Sequence, residues 1–475
     1  MPKPRKIYLL DPRLLSPETI AVAFAKTSRS PQSFREIANE LSDEKSADFH
    51  EKWVVGYGHS SVAEHAVLHI ALENVSRLAV ECIESNRLAS YTEKSSRYQI
   101  WDQDHFYVPE ELDNAPLKEE YVALNKRLFN NYQIALEKVT EFLKLNQPRE
   151  ENEPERAFLQ RIRTCSADVC RYYLPASALA NVGMTINARA LEHAIAKLLS
   201  HPLHEVRRIG QEVKTESQKI VPTLVKYANE NPYIKESFSI FNSRSYSENP
   251  SVLNDNDWFK CINCDMEGEA RILAALLFRY GNRSFDSAVR EIITLTQDSK
   301  EKMASDLFSR LGEHDIPLRE MEYASITFDL ILDQGAYFEL KRHRMMTQSP
   351  QDLTCGLGYA VPSLLRESGM DQLFNSDMKA AMELYKKLYA FDPGVAPYSV
   401  PNAFNRRILL QMNLRSAFHF TKLRSASNAH FAIRRIALKI AEEIRTRYPL
   451  FANYFVAETG ETWQSVSSEF FDRLF

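Results

Sequence analysis

Side chains that could bind an anionic ligand are clustered at two places in the sequence. The first place carries Glu93, Ser95 and Arg97 at alternating positions, and the second is the Arg-His-Arg run at 342–344. Guanidinium groups bind phosphate through a planar fork of donors. The whole chain has a formal net charge of −4, so no global field attracts a polyanion. We therefore predict no nucleic-acid partner, and any phosphate that the protein binds must be held by locally placed arginines.

A second group of polar residues follows each cluster further along the chain. In both halves an asparagine, an arginine and a histidine recur with the spacing Asn-x-Arg-x-x-x-His. These residues are Asn187, Arg189 and His193 in the first half, and Asn413, Arg415 and His419 in the second. Arg171 precedes the first set, and Arg424 follows the second.

An internal repeat explains why these groups come in pairs. Residues 68–72 alternate apolar and polar side chains as a strand does, and residues 326–330 do the same. Apolar residues at helical spacing precede each strand, around Phe24 and around Phe278. Further pairs follow in the same order: Leu174-Pro175 with Val400-Pro401, Asn187-Ala-Arg189 with Asn413-Leu-Arg415, and Arg207-Arg208-Ile209 with Arg434-Arg435-Ile436. So many matches in one order indicate a tandem duplication.

The duplication predicts the domain organisation. One repeat covers residues 1–228 and the other covers residues 258–475. The segment 229–257 between them is rich in Asn, Ser and Asp and is typical of a surface linker. Each repeat mixes long helical patterns with a few strands, so the predicted fold class is α+β.

Composition and length place the chain among ordinary globular proteins. Hydrophobic residues make up 44% and charged residues 26% of the 475 residues. No apolar run approaches the roughly 18–20 residues that a membrane span needs. The start of the chain also lacks the apolar stretch of a secretory signal. We therefore expect a cytoplasmic protein without a membrane partner.

The cysteines predict neither a disulfide framework nor a metal site. Six cysteines are few for a chain of this size. Cys261 and Cys264 form a single Cys-x-x-Cys pair, and a structural zinc site needs two more ligands that the sequence does not offer nearby. The interpretation as two ordinary thiols is preferred, and no metal is expected.

Together the motifs resemble those of the flavin-dependent thymidylate synthases. The first half contains Gly-His-Ser-Ser-Val-Ala-Glu-His at 58–65, similar to the family's GHxSxxEH, and the ExSxR part of its RHRxxSxNExSxRY signature. The second half contains the intact RHR and a segment similar to NxRxxxHF. Departures from the family pattern are Ser85, Asn86, Thr92 and Leu198 in the first half, and Pro350, Asp352, Thr354 and Pro397 in the second.

This resemblance implies a reaction and a set of substrate-binding residues. The family converts dUMP to dTMP with methylenetetrahydrofolate and an NADPH-reduced flavin. It assigns to Arg424 the stabilisation of the N3-deprotonated pyrimidine, which makes this residue the expected catalytic group. The implied substrate-binding residues are Glu93, Ser95, Arg97, Arg171, Glu339, Arg342 and Arg424.

The resemblance also implies FAD as the cofactor. The Arg-His-Arg run would bind and polarise the flavin, with residues of both NxRxxxH segments around it. The implied cofactor-binding residues are Arg342, His343, Arg344, His59, Ser61, Asn187, Arg189, His193, Asn413, Arg415 and His419.

The losses in the two repeats are complementary. In the family a site is assembled from more than one subunit, one supplying ExSxR and the earlier arginine, another supplying RHR and the last arginine. Here the first set survives only in the first repeat and the second set only in the second. We therefore expect the repeats to pack as a pseudo-dimer with a composite site, and the chains to pair into a homodimer. Decay of both copies is the alternative, and it would scatter the losses without this sorting.

One departure bears on the substrate. The family has a glutamine before RHR that contacts the pyrimidine, and here that residue is Glu339. A carboxylate beside an anionic nucleotide is unfavourable unless it is protonated or turned away. It could instead accept from a base edge that presents an amino group. A flavin-dependent enzyme acting on another pyrimidine nucleotide is therefore an alternative, and a non-catalytic flavin- or nucleotide-binding protein is a third.

Some motif residues have plain structural interpretations. Glu64 and His65 could satisfy the end of a strand, since buried polar groups need partners in any protein. His59 is a cofactor contact or a turn residue. Cys82 occupies the family's glutamine position in the first repeat and is interpreted as a small packing residue, because no base for a nucleophilic thiol is evident in the sequence.

Overall fold

A computed structural model describes most of the chain. The described residues are 5–27, 30–52, 60–97, 99–244, 257–457 and 459–475. The predicted flavin contact His59 lies outside them, as does part of the predicted linker, residues 245–256.

Helices dominate the described structure, and short strands alternate with them. The helices are α1 Pro17–Thr27, α2 Phe34–Glu40, α3 Asp43–Phe49, α4 Arg77–Glu84, α5 Lys118–Asn146, α6 Glu155–Cys170, α7 Ala188–Leu199, α8 His204–Gln218, α9 Pro232–Arg244, α10 Gly268–Tyr280, α11 Phe285–Thr294, α12 Gln297–Phe308, α13 Gln334–Leu340, α14 Ser363–Glu367, α15 Asp371–Phe391, α16 Leu414–Arg424, α17 Phe431–Arg447 and α18 Trp463–Phe470. The strands are β1 Val67–Ser76, β2 Ala89–Glu93, β3 Leu179–Asn187, β4 Phe259–Cys264, β5 Ser325–Asp333, β6 Thr347–Pro350, β7 Val361–Pro362, β8 Asn405–Asn413 and β9 Phe471–Arg473. This mixture confirms the predicted α+β class.

The chain divides into two compact units whose boundaries differ from those of the sequence repeats. The first unit consists of Met1–Lys94, His105–Ala115 and Ser177–Ser247. The second consists of Ser95–Asp104, Pro116–Ala176 and Glu248–Phe475. Residues 95–104 and helices α5 and α6, which belong to the first repeat in sequence, are therefore part of the second unit.

The first unit contains an antiparallel sheet in the order β1-β3-β2. Val67 at the start of β1 lies opposite Asn187 at the end of β3, and Ala89 of β2 lies opposite Ile186. Leu68 and the other buried apolar residues of β1 point to one face, as the alternation in sequence predicts. β3 leads directly into α7, whose residues Leu191, Ala194, Ile195 and Leu198 are buried at helical spacing.

The second unit repeats this arrangement and adds a strand. Its sheet has the order β4-β5-β8-β6, and all its neighbouring strands are antiparallel. Ser325 at the start of β5 lies opposite Asn413 at the end of β8, and Thr347 of β6 lies opposite Gln411. β1, β2 and β3 thus have counterparts in β5, β6 and β8, and the order of the strands is the same. In both sheets the asparagine that ends β3 or β8 lies opposite the first residue of β1 or β5.

Helix caps at equivalent places fix where the helices begin. The Asn187 side chain accepts from the Ala190 N–H at the start of α7, and the Asn413 side chain accepts from the Ser416 N–H at the start of α16, at 2.9 and 2.8 Å. Such caps satisfy backbone donors that have no partner inside the helix. The asparagine of each NxR segment therefore has a structural role.

Two matched segments of the sequence repeats also contact each other within the second unit. Pro175 forms an antiparallel bridge with Pro401. The Asn402 N–H donates to the Leu174 carbonyl and the Ala176 N–H donates to the Val400 carbonyl, both at 2.9 Å. The two bonds are reciprocal: in each, the N–H of the residue after the proline in one repeat donates to the carbonyl of the residue before the proline in the other.

The predicted linker is not loop throughout. Helix α9, Pro232–Arg244, occupies most of the first half of 229–257. In the described part of the chain, none of the helices, α9 included, is both long and apolar enough to cross a lipid bilayer.

Candidate active site

Glu339 lies near the end of α13, at the centre of a group of charged side chains in the second unit. The helix begins at Asp333, whose carboxylate accepts from the Ala336 N–H at 2.8 Å. All seven residues of α13 are buried. The Glu339 carboxylate is consequently held in the protein interior, where an unpaired charge would be very unfavourable.

Arginines from two helices neutralise this carboxylate. Arg424, the last residue of α16, places Nη1 at 2.9 Å from Glu339 Oε2, and Arg171 places Nη1 at 3.8 Å from Oε1. Burial by itself raises the pKa of Glu339, but Arg342, Arg171, Arg424 and Arg97 together lower it below its ordinary value. Glu339 is therefore an anion near neutral pH and is not protonated.

Arg171 is one of the most buried charged residues of the protein. Its guanidinium Nη2 donates to the Gly335 carbonyl in the first turn of α13 at 3.0 Å. Its Nε is buried and has no hydrogen-bond acceptor among the described residues. Arg171 therefore braces α13 and keeps one donor without a protein acceptor.

Arg97 is held by a carboxylate from α6. Its Nε and Nη2 donate to the two oxygens of Asp168 at 2.7 and 2.8 Å, and its Nη1 donates to the Asn428 carbonyl at 3.1 Å. This bidentate geometry is the one in which Arg also binds phosphate. A phosphate at Arg97 must therefore share the guanidinium with Asp168 or displace it.

His343 accepts a hydrogen bond from the same arginine that pairs with Glu339. The Arg424 Nε–H donates to His343 Nε2 at 2.9 Å, which requires the His343 proton to be on Nδ1. Burial, reinforced by Arg424, lowers the pKa of His343 to about 3. The imidazole is therefore neutral near neutral pH and adds no charge to the site.

These groups leave an excess of positive charge. We call the six side chains concerned the Glu339 cluster: Arg97, Arg171, Arg342, Arg424, Asp168 and Glu339. Four guanidinium groups and two carboxylates give a formal charge of +2. A phosphate monoester is a dianion near neutral pH, so the cluster and such a ligand match in charge.

A cavity of about 560 Å³ adjoins one side of the cluster. Arg97 and Asp168 are in its wall together with apolar residues such as Phe431 and Phe470, whereas Glu339 and Arg424 are not. Its size is in the range of small-molecule pockets.

The residues predicted to bind cofactor differ in how accessible they are. In the second unit Arg342 and His419 are exposed, whereas Arg344, His343, Asn413 and Arg415 are partly exposed. Asn413 caps α16, as described above. The Arg415 guanidinium pairs with Glu322 at 2.9 Å and donates to the Pro317 carbonyl at 2.8 Å, so it acts within the protein.

The predicted residues of the first unit are placed as follows. Ser61 and His193 are exposed. Arg189 forms an ion pair with Glu64 just before β1, but Glu64 and His65 are both exposed, so the interpretation that they satisfy a buried strand end is wrong. The Glu93 carboxylate is buried and lies 3.2 Å from the guanidinium of Arg77. Ser95 is in the second unit, where its hydroxyl accepts from the Arg97 N–H at 3.3 Å.

Two carboxylates of the site region were missed in the sequence. Asp168 lies on α6, three residues before Arg171, which follows the last residue of that helix. This helical spacing puts both side chains on one face, and it could have indicated Asp168 as part of the site. Glu322 precedes β5 by three residues, just as Glu64 precedes β1, and each pairs with the arginine of its NxR segment.

Comparisons with known proteins relate both halves of the chain to one family. The profile of the family described as "Thymidylate synthase complementing protein" matches residues 12–223 and 262–450. A UPF0159 protein of Chlamydia muridarum is 30% identical over 435 residues, 87% of this chain and 82% of the relative. A UPF0159 protein of Thermoplasma acidophilum is 25% identical over 462 residues, 89% of this chain and 91% of the relative. A flavin-dependent thymidylate synthase of Clostridium tetani is 28% identical over 214 residues, 45% of this chain and 82% of the relative.

The low pKa of His343 has a measurable consequence for stability. Because the folded state binds the proton only near pH 3 and an unfolded histidine binds it near 6.5, stability is lost as the pH falls below 6.5. Between pH 7 and pH 5 this group should cost about 2 kcal/mol. The variant His343→Gln should therefore lose less stability over this interval than the unmodified protein, as measured by urea unfolding at both pH values.

His314 provides the control for this measurement, since it is an exposed histidine of the same unit. His314→Gln should leave the pH dependence unchanged. An equal loss of stability in the unmodified protein and in His343→Gln would contradict the assignment of a buried neutral imidazole.

Proposed function

The chain belongs to the family described as thymidylate synthase complementing protein, and from this membership we propose that it converts dUMP to dTMP at the Glu339 cluster. The proposed reaction uses methylenetetrahydrofolate, NADPH and FAD, as in the flavin-dependent thymidylate synthases that the chain resembles. The observation that carries the proposal is the meeting of Arg97 and Arg171 from the first repeat with Arg424 from the second.

This meeting supports the proposal of a composite site. Each repeat alone has lost part of the family's residue set, but the cluster in the second unit combines what both have kept. The reciprocal backbone bonds at Pro175 and Pro401 are the kind of contact that a two-fold related pair of subunits makes with itself. This supports packing of the two repeats as a pseudo-dimer inside one chain. Pairing of two chains into a homodimer remains part of the proposal.

The arginines of the first repeat are proposed to bind the phosphate of the nucleotide. Arg97 is positioned by Asp168, and the buried Nε of Arg171 offers a further donor. The excess charge of +2 on the cluster balances the dianion. Ser95, beside Arg97 in sequence, can add a hydroxyl donor to the phosphate.

Arg424 is proposed to act on the pyrimidine. Its Nε is used by His343 and its Nη1 by Glu339, whereas Nη2 has no hydrogen-bond partner among the described residues. The two protein contacts fix the plane of the guanidinium and direct Nη2 towards a ligand. A cation held in this way stabilises a pyrimidine deprotonated at N3, which increases the electron density at C5. The Glu339 carboxylate can accept the N3–H while the neutral ring binds.

The chemistry of the exposed donors fits a flavin in part. Arg342 and His419 are exposed and Arg344 is partly exposed, and the two guanidinium groups of Arg342 and Arg344 suit a diphosphate. Asn413 and Arg415 would support the site indirectly, since their side chains already cap α16 and pair with Glu322. When bound, FAD would supply the hydride that completes the methyl group, after its reduction by NADPH.

A second candidate function is favoured by the charge of Glu339. A carboxylate that stays ionised can accept from the exocyclic amino group of a cytosine as well as from the N3–H of a uracil. A flavin-dependent enzyme acting on an amino-pyrimidine nucleotide is therefore the alternative.

The central role of Arg424 predicts a large loss of activity on its removal. Arg424→Ala should reduce the release of tritium from [5-³H]dUMP by at least about 100-fold, because a preorganised charged donor is removed from the reacting ring. The assay contains purified protein, FAD, NADPH and methylenetetrahydrofolate. Bound flavin should be retained, as measured by the flavin released on denaturation.

Lys422→Ala is the matched control for this variant. Lys422 is an exposed cation on the same helix, two residues from Arg424, and donates to the Glu313 carbonyl. It should release tritium at the rate of the unmodified protein. If Arg424→Ala retains this rate as well, the proposed role of Arg424 is wrong.

The two candidate substrates are separated by Glu339→Gln. The amide keeps the shape of the side chain and an oxygen that can accept from Arg424, but it removes the negative charge. For a thymidylate enzyme, kcat/KM for dUMP should change by less than about tenfold, equivalent to 1.4 kcal/mol, because the amide oxygen still accepts from Arg424 and the dianionic phosphate of the bound nucleotide supplies negative charge in place of the carboxylate. An enzyme that uses the carboxylate to read an amino group should lose far more activity on dCMP. Steady-state kinetics with both nucleotides decide between them.

A further inference from the structure

The first unit contains a group of reactive side chains that the proposed reaction does not use. Cys82 lies on α4, and its Sγ is 3.2 Å from the Nε2 of His201, just after the end of α7. Lys197 of α7 donates to the Ser85 hydroxyl, which donates in turn to the backbone carbonyl of Cys82, and Lys197 and the Cys82 thiol interact electrostatically. The sequence alone did not reveal this imidazole at hydrogen-bond distance from Cys82.

The hydrogen bonds of His201 define which nitrogen carries its proton. The Leu203 N–H donates to Nδ1 at 3.2 Å, so the proton of the neutral ring is on Nε2 and is directed at Sγ of Cys82. Burial, reinforced by Lys197 and Arg207, lowers the pKa of His201 to about 4. The ring is thus a neutral hydrogen-bond donor to sulfur near neutral pH.

Lys197 supplies a positive charge at the same place. Burial lowers the pKa of Lys197, and Cys82 acts in the opposite direction. An ammonium ion and an imidazole N–H beside a sulfur both stabilise the thiolate, which is the nucleophilic form of cysteine. The cluster consists of Cys82, Lys197 and His201, and all three are partly exposed, so a small molecule can reach the sulfur.

The position of the thiol is equivalent to that of Glu339. Ser76 caps α4 by accepting from the Ala79 N–H, as Asp333 caps α13, and Cys82 follows its cap by the same six residues as Glu339. Lys197 and His201 are at the end of α7, the counterpart of α16, which carries Arg424. The first repeat has therefore replaced the carboxylate–guanidinium pair of the second unit with a thiol, an imidazole and an amine.

The other cysteines are in less favourable surroundings. Burial raises the pKa of Cys165, Cys170, Cys261 and Cys355. Cys264 is partly exposed like Cys82, but its Sγ contacts the sulfur of Met266 at 3.5 Å. Cys264 therefore serves as the reference for a thiol of similar exposure beside a thioether.

We propose that Cys82 is a nucleophilic thiol and a site of covalent modification by low-molecular-weight disulfides. The Cys82 thiolate attacks one sulfur of the disulfide, a new S–S bond forms, and the original S–S bond breaks. The departing thiolate takes up the proton that left Cys82, so the products are a mixed disulfide on the protein and one free small thiol. The His201 N–H and the Lys197 ammonium stabilise the attacking sulfur. The proposal is independent of the thymidylate function.

Competition for a limiting electrophile tests this directly. The native full-length protein is treated with substoichiometric iodoacetamide, and alkylation of each cysteine is followed by peptide mass spectrometry. Cys82 should react at least about tenfold faster than Cys264. In urea, where the cluster is absent, the two should react at similar rates. Equal rates in the native protein would overturn the proposal without any variant being made.

Variants then connect the reactivity to its cause. Lys197→Met and His201→Gln should each slow the alkylation of Cys82 several-fold while the rate at Cys264, measured in the same sample, stays constant. The constant rate at Cys264 and an unchanged melting curve exclude unfolding. An undiminished rate at Cys82 in both variants would contradict the proposed stabilisation of the thiolate.

The proposed modification itself is tested with oxidised glutathione as the probe. One glutathionyl group should be found on Cys82, it should be removed by dithiothreitol, and Cys82→Ser should abolish it. Modification spread equally over Cys82 and Cys264 would also contradict the proposal.

Discussion

The arrangement of the candidate site depends on the ion pairs that the Glu339 carboxylate forms with Arg171 and Arg424. Four guanidinium groups close together repel one another, and three of them, on Arg97, Arg171 and Arg424, are largely buried. Glu339 forms ion pairs with two of these, Arg171 and Arg424. Removing a buried partner of this kind leaves uncompensated charge, which is costly. A carboxylate at this position therefore permits a concentration of arginines that leaves an excess charge for a dianionic ligand.

The fold brings these residues together from distant parts of the sequence. Arg424 is the last residue of α16, which follows β8, and Glu339 lies near the end of α13, which follows β5. Arg171 comes from the first repeat, directly after α6. The capped starts of α13 and α16 fix the two helices on their sheet. Backbone bonds at Pro175 and Pro401 hold the segment after Arg171. A tandem duplication is a simple origin for such an arrangement, because equivalent segments of two copies can form reciprocal contacts.

The sequence predicted the elements better than their partners. β1 and β5 were evident from alternation, and the arginines of the cluster could be named because guanidinium groups at motif spacing indicate phosphate binding. Asp168, Glu322 and His201 were not found, because an ion pair or hydrogen bond between residues far apart in sequence leaves no periodic signal. The partner of a charged residue is set by the tertiary fold, and a repeat comparison finds it only where both copies keep the same residue type. Cys82 is an example, because it, Lys197 and His201 all differ in residue type from their counterparts around Glu339 and Arg424 in the second repeat.

One site is proposed to be formed by residues of both repeats. A crystal structure of the protein with dUMP bound tests this. The phosphate should contact Arg97 and Arg171 of the first repeat, and the pyrimidine should contact Arg424 and Glu339 of the second. A nucleotide bound only by residues of one repeat, with the Glu339 cluster unchanged, would contradict it.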